Sequence, residues 1–210
     1  MKRLIPVLCA LAAAGCVTVP TPMRGNNAAT DKPSETPAER EQREIAYDSF
    51  KRMHQAWIDG DAAVSLSLMS VRYVSDWMLM RTRDKSDPDW SKVLEKLDKP
   101  SRVEFDLWVR DNKNVKIPIS NSRATPLPET ILASAWLRET WKHYFDLEKA
   151  NLKLIAEAMN VGVDDVGVDG TGCSVMVRIR RAPTHIYQMV IEGDAWKLDY
   201  TVKAAEKRSN

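Results

Sequence analysis

Between Cys173 and Val202 apolar and polar residues alternate almost without fault. Val175, Val177 and Ile179 alternate with Met176, Arg178 and Arg180. Tyr187, Met189 and Ile191 alternate with Gln188 and Val190, and Trp196, Leu198, Tyr200 and Val202 with Lys197, Asp199 and Thr201. A period of two is that of a strand with one face buried. Ala182-Pro183-Thr184 and Glu192-Gly193-Asp194 supply the turns, since Pro has no N–H for a ladder. Upstream, Val163 to Val168 reads as a further short strand, closed by Asp169-Gly170-Thr171-Gly172. The pattern predicts a four-stranded antiparallel meander whose apolar face needs a cover.

The chain before it is helical and supplies that cover. Pro37 to Glu44 carries helix-start signals. Tyr47, Phe50, His54 and Trp57 then fall at spacings of three and four, with Ala46 and Met53 beside them. Gly60 ends this helix and Asp61 caps the next, which takes in Val64, Leu66 and Leu68-Met69. Tyr73, Trp77 and Met80 repeat the helical spacing, and a polar loop follows over Arg83 to Asp87. Asp87-Pro88 opens another helix through Val93, Leu94 and Leu97. Residues 101–112 fit a strand or a helix. The helix is favoured, because Pro100-Ser101 is a good start and Asp111-Asn112 a good stop. Lys113 to Pro128 is a loop. From Pro128-Glu129 a helix runs through Ile131, Leu132, Ala135, Trp136, Leu137, Trp141, Tyr144 and Phe145, apolar nearly all round. Leu147 to Met159 continues it or adds another. The fold class expected is α+β: several N-terminal helices packed on the C-terminal meander, cone-like in shape.

The first forty residues follow a different logic. Met1-Lys2-Arg3 precedes an apolar run, Leu4 to Ala14, too short for the ~20 residues that cross a bilayer as a helix. It ends Ala13-Ala14-Gly15-Cys16, which resembles the lipobox of bacterial lipoproteins, with Ala13 where Leu is usual. The resemblance implies removal of residues 1–15 as a signal peptide and acylation of Cys16. It also implies lasting attachment to the membrane, because several acyl chains hold where one does not. Val17 rather than Asp after the cysteine favours the outer membrane by the sorting habit of that family. The alternative is an ordinary cleaved signal with an incidental cysteine. Residues 16–38 read as lipidated cysteine and tether, rich in Pro and Asn and without apolar period, able to reach roughly 70 Å when stretched. Residues 203–210 read as a disordered tail.

Charge excludes one class of partner. The formal net charge is +2, and losing Lys2 and Arg3 with the leader takes it to zero. No bulk charge draws in nucleic acid. Cysteine is used three times, at Cys9, Cys16 and Cys173. Cys173 then reads as a small residue packed on a strand.

A long helix ending Asp59-Gly60-Asp61-Ala62-Ala63, then shorter helices, then a meander closing on Ile191-Glu192-Gly193-Asp194-Ala195-Trp196-Lys197-Leu198 resembles the nuclear transport factor 2-like superfamily. The likeness spans residues 39–202 but rests on those two ends, and the middle holds extra helices where that fold often has its first strand. It implies a curved sheet wrapped on a long helix with a pocket between. Its enzymes, similar to ketosteroid isomerase, use a pocket Tyr and carboxylic acids; that isomerase is the standard case of a neutral, donating Asp.

The matching material here is Tyr47 and His54 on one face of the first helix, with Asp199 and Tyr200 on the last strand. A His acts as general base when its acceptor nitrogen faces substrate, yet strand alternation turns Asp199 away from Trp196 and Leu198, toward solvent. A satisfied core or rim histidine is the ordinary reading of His54. Tyr47, Phe50, His54, Trp57, Trp77, Trp136, Trp141 and Trp196 form the candidate binding pocket, and packing explains the same residues. His54, His143 and His185 lack the ligand spacing of a metal site. No Gly-rich phosphate loop or Gly-x-Ser-x-Gly elbow is present.

These readings give a lipid-anchored periplasmic chain, without metal or cofactor, whose α+β domain binds a small apolar ligand or an envelope protein. The alternative is a small isomerase- or dehydratase-like enzyme using His54 or Tyr47. A third possibility is protein docking on the outer sheet face through a contiguous exposed apolar patch; Arg178, Arg180 and Arg181 form a basic outer strip, ordinarily a solvated face, that could also guard an edge or dock an acidic partner.

Overall fold

Helix starts and stops are set by side chains that satisfy the backbone donors left over at helix ends. A computed structural model describes residues 35–84, 87–116, 123–169, 172–180 and 184–203. The expected leader, Cys16 and most of the tether lie outside them, as do the Gly170-Thr171 and Ala182-Pro183 turn residues and nearly all of the expected tail.

Helix α1 (Pro37–Asp59) opens on a capping box. Thr36 Oγ1 accepts from the Glu39 N–H at 3.2 Å, and the Glu39 carboxylate accepts from the Thr36 N–H at 2.8 Å. It closes at Gly60, whose φ of 73° lies in the left-handed region that glycine adopts without a Cβ clash. Asp61 caps α2 (Ala62–Ser67), accepting from the Val64 N–H at 3.0 Å.

Here the structure departs from the expected second helix. Leu68, Met69 and Ser70 leave the helix and run parallel to the last strand. The Leu68 carbonyl accepts from the Leu198 N–H, and the Ser70 N–H donates to the Leu198 carbonyl, both at 2.8 Å. An outer strand with bare backbone groups is a pairing hazard, and this short crossing occupies part of it.

Ser70 then caps α3 (Val71–Arg83), which is buried from Tyr73 to Leu79 without a gap. Helix α4 (Trp90–Glu95) begins two residues after the expected Pro88, behind a turn. Helix α5 (Lys99–Asp111) settles the ambiguous stretch as helix, with Asp98 accepting from the Ser101 N–H at 3.0 Å.

The helix expected from Pro128 onward is two. Helix α6 (Glu129–Leu132) stops after one turn, and Ser134 caps a new start, accepting from the Leu137 N–H at 3.1 Å. Helix α7 (Ala135–Ala158) then runs unbroken for 24 residues. At Met159 the chain is already extended: β1 (Met159–Asn160) pairs with Ile179 and Arg178.

A turn of 3-10 helix over Val163–Asp165 leads into β2 (Val166–Asp169), β3 (Gly172–Ile179), β4 (His185–Glu192) and β5 (Ala195–Lys203). These form an antiparallel meander, β2 to β3 to β4 to β5, with β1 extending the β2 side. The architecture is α+β, with helices first and an open antiparallel sheet last.

On β3, Cys173, Val175 and Val177 face inward as the alternation requires; on β4, His185, Tyr187 and Met189 do. Ile191 keeps inward parity but is 53% exposed, at the hairpin end beyond the helices. Helix α1 packs against β2, β3 and β5. Phe50 and Tyr187 meet edge to face with ring centroids 5.3 Å apart, and Trp57 reaches the same tyrosine at 6.2 Å.

On β5 the strict alternation fails. Gln188 pairs with Tyr200 but Met189 pairs with Leu198, so Asp199 is the extra residue of a bulge. Trp196 and Leu198 point inward as expected. Beyond the bulge the parity reverses, and Tyr200 sits opposite Gln188 on the outer face instead of continuing the inner one.

Candidate functional site

Of the eight aromatic and His residues expected to line one pocket, six are packed into the core and two lie at a seam. Phe50 and Trp57 are core, between α1 and the sheet; Trp196 is core on β5, 3% exposed. Trp77 and Trp141 pack on each other at 4.9 Å in the helical half, with Tyr144 against Trp77. Trp136 belongs to the same half, against Trp90 and Phe105.

Tyr47 and His54 are half-buried along the seam between α1 and the end of α7. The Tyr47 hydroxyl donates to the Val161 carbonyl at 3.4 Å, and Lys51 lies over its ring. His54 Nε2 lies 2.7 Å from the Ala156 carbonyl oxygen, so that nitrogen is the protonated donor. Both side chains thus tie helix to helix end through backbone oxygen. Asp199 has other partners: it is held from Ser70 and Arg72 of the α3 start and from Arg123.

That corner gathers two carboxylates and two arginines. The expectation that Asp199 faces solvent is overturned, because the bulge tucks it in at 3% exposure. Ser70 Oγ donates to Asp199 Oδ1 at 2.8 Å. Arg123 bridges two carboxylates: its Nε is 2.6 Å from Asp76 Oδ2, and its NH2 reaches Asp199 Oδ1 at 3.2 Å and the Asp199 carbonyl at 2.8 Å. Arg72 approaches Asp199 from solvent at 3.6 Å. Asp76 also accepts from the Ala124 N–H at 2.8 Å. The neighbouring Ser75 hydroxyl accepts from the Leu127 N–H, and Asn112 accepts from the Thr125 N–H. Residues 123–127 are therefore strapped to α3, α5 and β5 by side chains.

Burial raises the Asp76 carboxyl above its ordinary value. The Ala124 N–H and the Arg123 charge draw it back, Asp199 pushes it up again and Arg72 offsets part of that. A carboxyl raised in the folded state favours folding at acid pH, and that contribution is lost as pH rises through its folded value. Wild type should therefore gain stability over an Asp76→Asn variant as pH falls from 7 toward 4.5, read as urea midpoints of both proteins. A gap moving the other way would mean that the Arg123 pairing outweighs burial.

A second cluster closes the helical half. Arg81, 4% exposed, donates to Asp87 at 2.8 Å and stacks on the Tyr144 ring, whose hydroxyl donates to the same carboxylate at 2.5 Å. Burial works to raise Asp87, but the Tyr144 hydroxyl, the Asp89 N–H and Arg81 together hold it below the usual carboxylate range. Burial first, and Asp87 second, push the Tyr144 hydroxyl well above its ordinary value.

One opening stands between α4 and α7, a groove of about 270 Å³. Val93, Trp136 and Thr140 form its floor; Asp89, Lys92, Lys96, Glu139 and His143 form its rim. Trp136 is the one residue of the expected pocket found there, and its indole N–H is taken by the Val93 carbonyl at 2.7 Å. The volume is just below the range of drug-sized ligand sites.

Sequence reasoning missed Asp76, Arg123 and Arg81. The signal available for Asp76 was a carboxylate inside the apolar run Val74 to Leu79; nothing in sequence named its partner. Among the described residues no group of three or more His, Cys, Asp or Glu is placed to hold a metal, and no helix is long and apolar enough to cross a membrane. No family model, no curated protein and no solved structure matches the chain.

Proposed function

We propose that this chain is an exported lipoprotein held to the membrane by acylated Cys16, facing the periplasm, with Val17 directing it to the outer membrane. Its α+β part, of the nuclear transport factor 2-like kind, serves there as a non-catalytic module that docks another envelope protein. One observation carries the non-catalytic reading: the groups the sequence offers for catalysis are engaged in holding the fold. Tyr47 and His54 turn to backbone carbonyls, and Asp199 is locked by Ser70, Arg123 and Arg72. The pocket aromatics being packed on one another favours a protein partner over a small apolar ligand.

The test is complementation of a strain lacking the protein. A Tyr47→Phe/His54→Gln double variant should complement as well as wild type, while Cys16→Ala should fail and leave the membrane fraction. Loss of complementation by a normally folded and localised double variant would restore the isomerase- or dehydratase-like alternative. A mature N-terminus other than acylated Cys16, by mass spectrometry, would overturn the anchor.

A further inference from the structure

Helix α7 buries Tyr144, Phe145, Glu148, Leu152 and Ala156 on one side. On the opposite side Leu147 is 54% and Leu154 65% exposed, with the small, exposed Ala150 between them. Residues 147, 150 and 154 share one helical face, two turns long. Toward the N-terminus the same face is occupied: Trp136, Thr140 and His143 line the groove against α4. Beyond His143 the face is bare to the helix end at Ala158, about 22 Å at the α-helical rise.

The charges beside this stripe carry a pattern. Lys142 pairs with Asp146 and Lys153 with Glu157, all four on one flank of the stripe. Reversing the helix about a point between Lys149 and Ala150 carries Lys142 onto Glu157 and Asp146 onto Lys153. Every position meets the opposite sign. The same reversal carries Leu147 to within two residues of Leu154, about 3 Å along the axis, and leaves Ala150 at the crossing, where a small residue lets two helices approach. A two-fold interface requires such a self-complementary patch. The far end fits as well. The partner helix would end beside Lys96 on the groove rim, a cation that suits a helix C-terminus carrying Glu157.

We infer that the occupant of this stripe is a second copy of the chain, the two α7 helices crossing antiparallel at Ala150. The full chain should sediment as a dimer. With an Ala150→Cys substitution it should oxidise to a disulfide-linked dimer, while Glu129→Cys, exposed on α6, should not. Leu154→Glu should abolish both signals with the helical circular dichroism unchanged. Lys153→Glu alone places like charges opposite each other and should weaken the dimer by about ten-fold; Asp146→Lys/Lys153→Glu together restore complementarity and should recover it. A monomeric wild type, a dimer indifferent to Leu154→Glu, or a charge swap that fails to recover association would each overturn the inference.

Discussion

Replacing Arg123 by Ala should cost about 3–5 kcal/mol of stability, the penalty for leaving buried carboxylates without their counter-charge. Arg123 is the shared partner of Asp76 and Asp199, whose side chains are 11% and 4% exposed, and it stands 18% exposed between α3 and the bulge of β5. The variant strands both acids at once and unfastens residues 123–127 from the sheet. Arg72→Ala provides the contrast. It touches the same Asp199 carboxylate at 3.6 Å, but its side chain is 56% exposed, so solvent screens the pair and the loss should stay below about 1 kcal/mol. Urea denaturation of the two variants measures both. Equal effects would mean that Arg123 is not the bridge.

The second large effect lies between the layers. Phe50 has no exposed surface and packs edge to face on Tyr187 from the first helix to the middle strand of the sheet. Phe50→Ala should cost about 3–5 kcal/mol, the transfer term plus the cavity left behind. If a ligand pocket lay beneath α1, the loss would be smaller, because solvent or ligand would already share that space. A cost under about 1 kcal/mol would reopen the pocket reading of Phe50, Trp57 and His54.

Much of this architecture is written in periods. The two-residue alternation of β3 and β4 and the three-four spacing along α1 are local, and local patterns survive into the fold. Where tertiary pairing overrides them, the sequence carries no trace. Leu68-Met69 looks helical beside Val64 and Leu66, yet the free backbone of β5 draws it out of the helix into a single parallel bridge at Leu198. Trp196 to Val202 alternates without a flaw, with no Gly or Pro to announce the bulge. Only Asp199, a poor strand residue, hints that the ladder needs charge there. Ser134 is the kind of side chain that caps a helix, but the apolar pairs Ile131–Ala135 and Leu132–Trp136 read straight through it.

The site residues are hard to read from sequence for a related reason. Aromatic residues at helical spacing are the same whether they line a cavity or fill a core, and the seven-residue spacing of Tyr47 and His54 states a shared face but not what faces it. Only the position of the α7 end, set by the whole chain, puts the Val161 and Ala156 carbonyls there. Arg123 lies in a stretch whose prolines mark it only as loop; its meeting with Asp76 and Asp199, 47 and 76 residues away, is a property of the fold.

Amide hydrogen exchange along β3 and β4 tests the central claim most directly, that the inner sheet face is sealed by α1 and its neighbours. The account predicts that the paired amides around Val175, Val177, Tyr187 and Met189 exchange only when the whole protein unfolds. Exchange there at the rate of an open peptide, with α1 still protected, would contradict it.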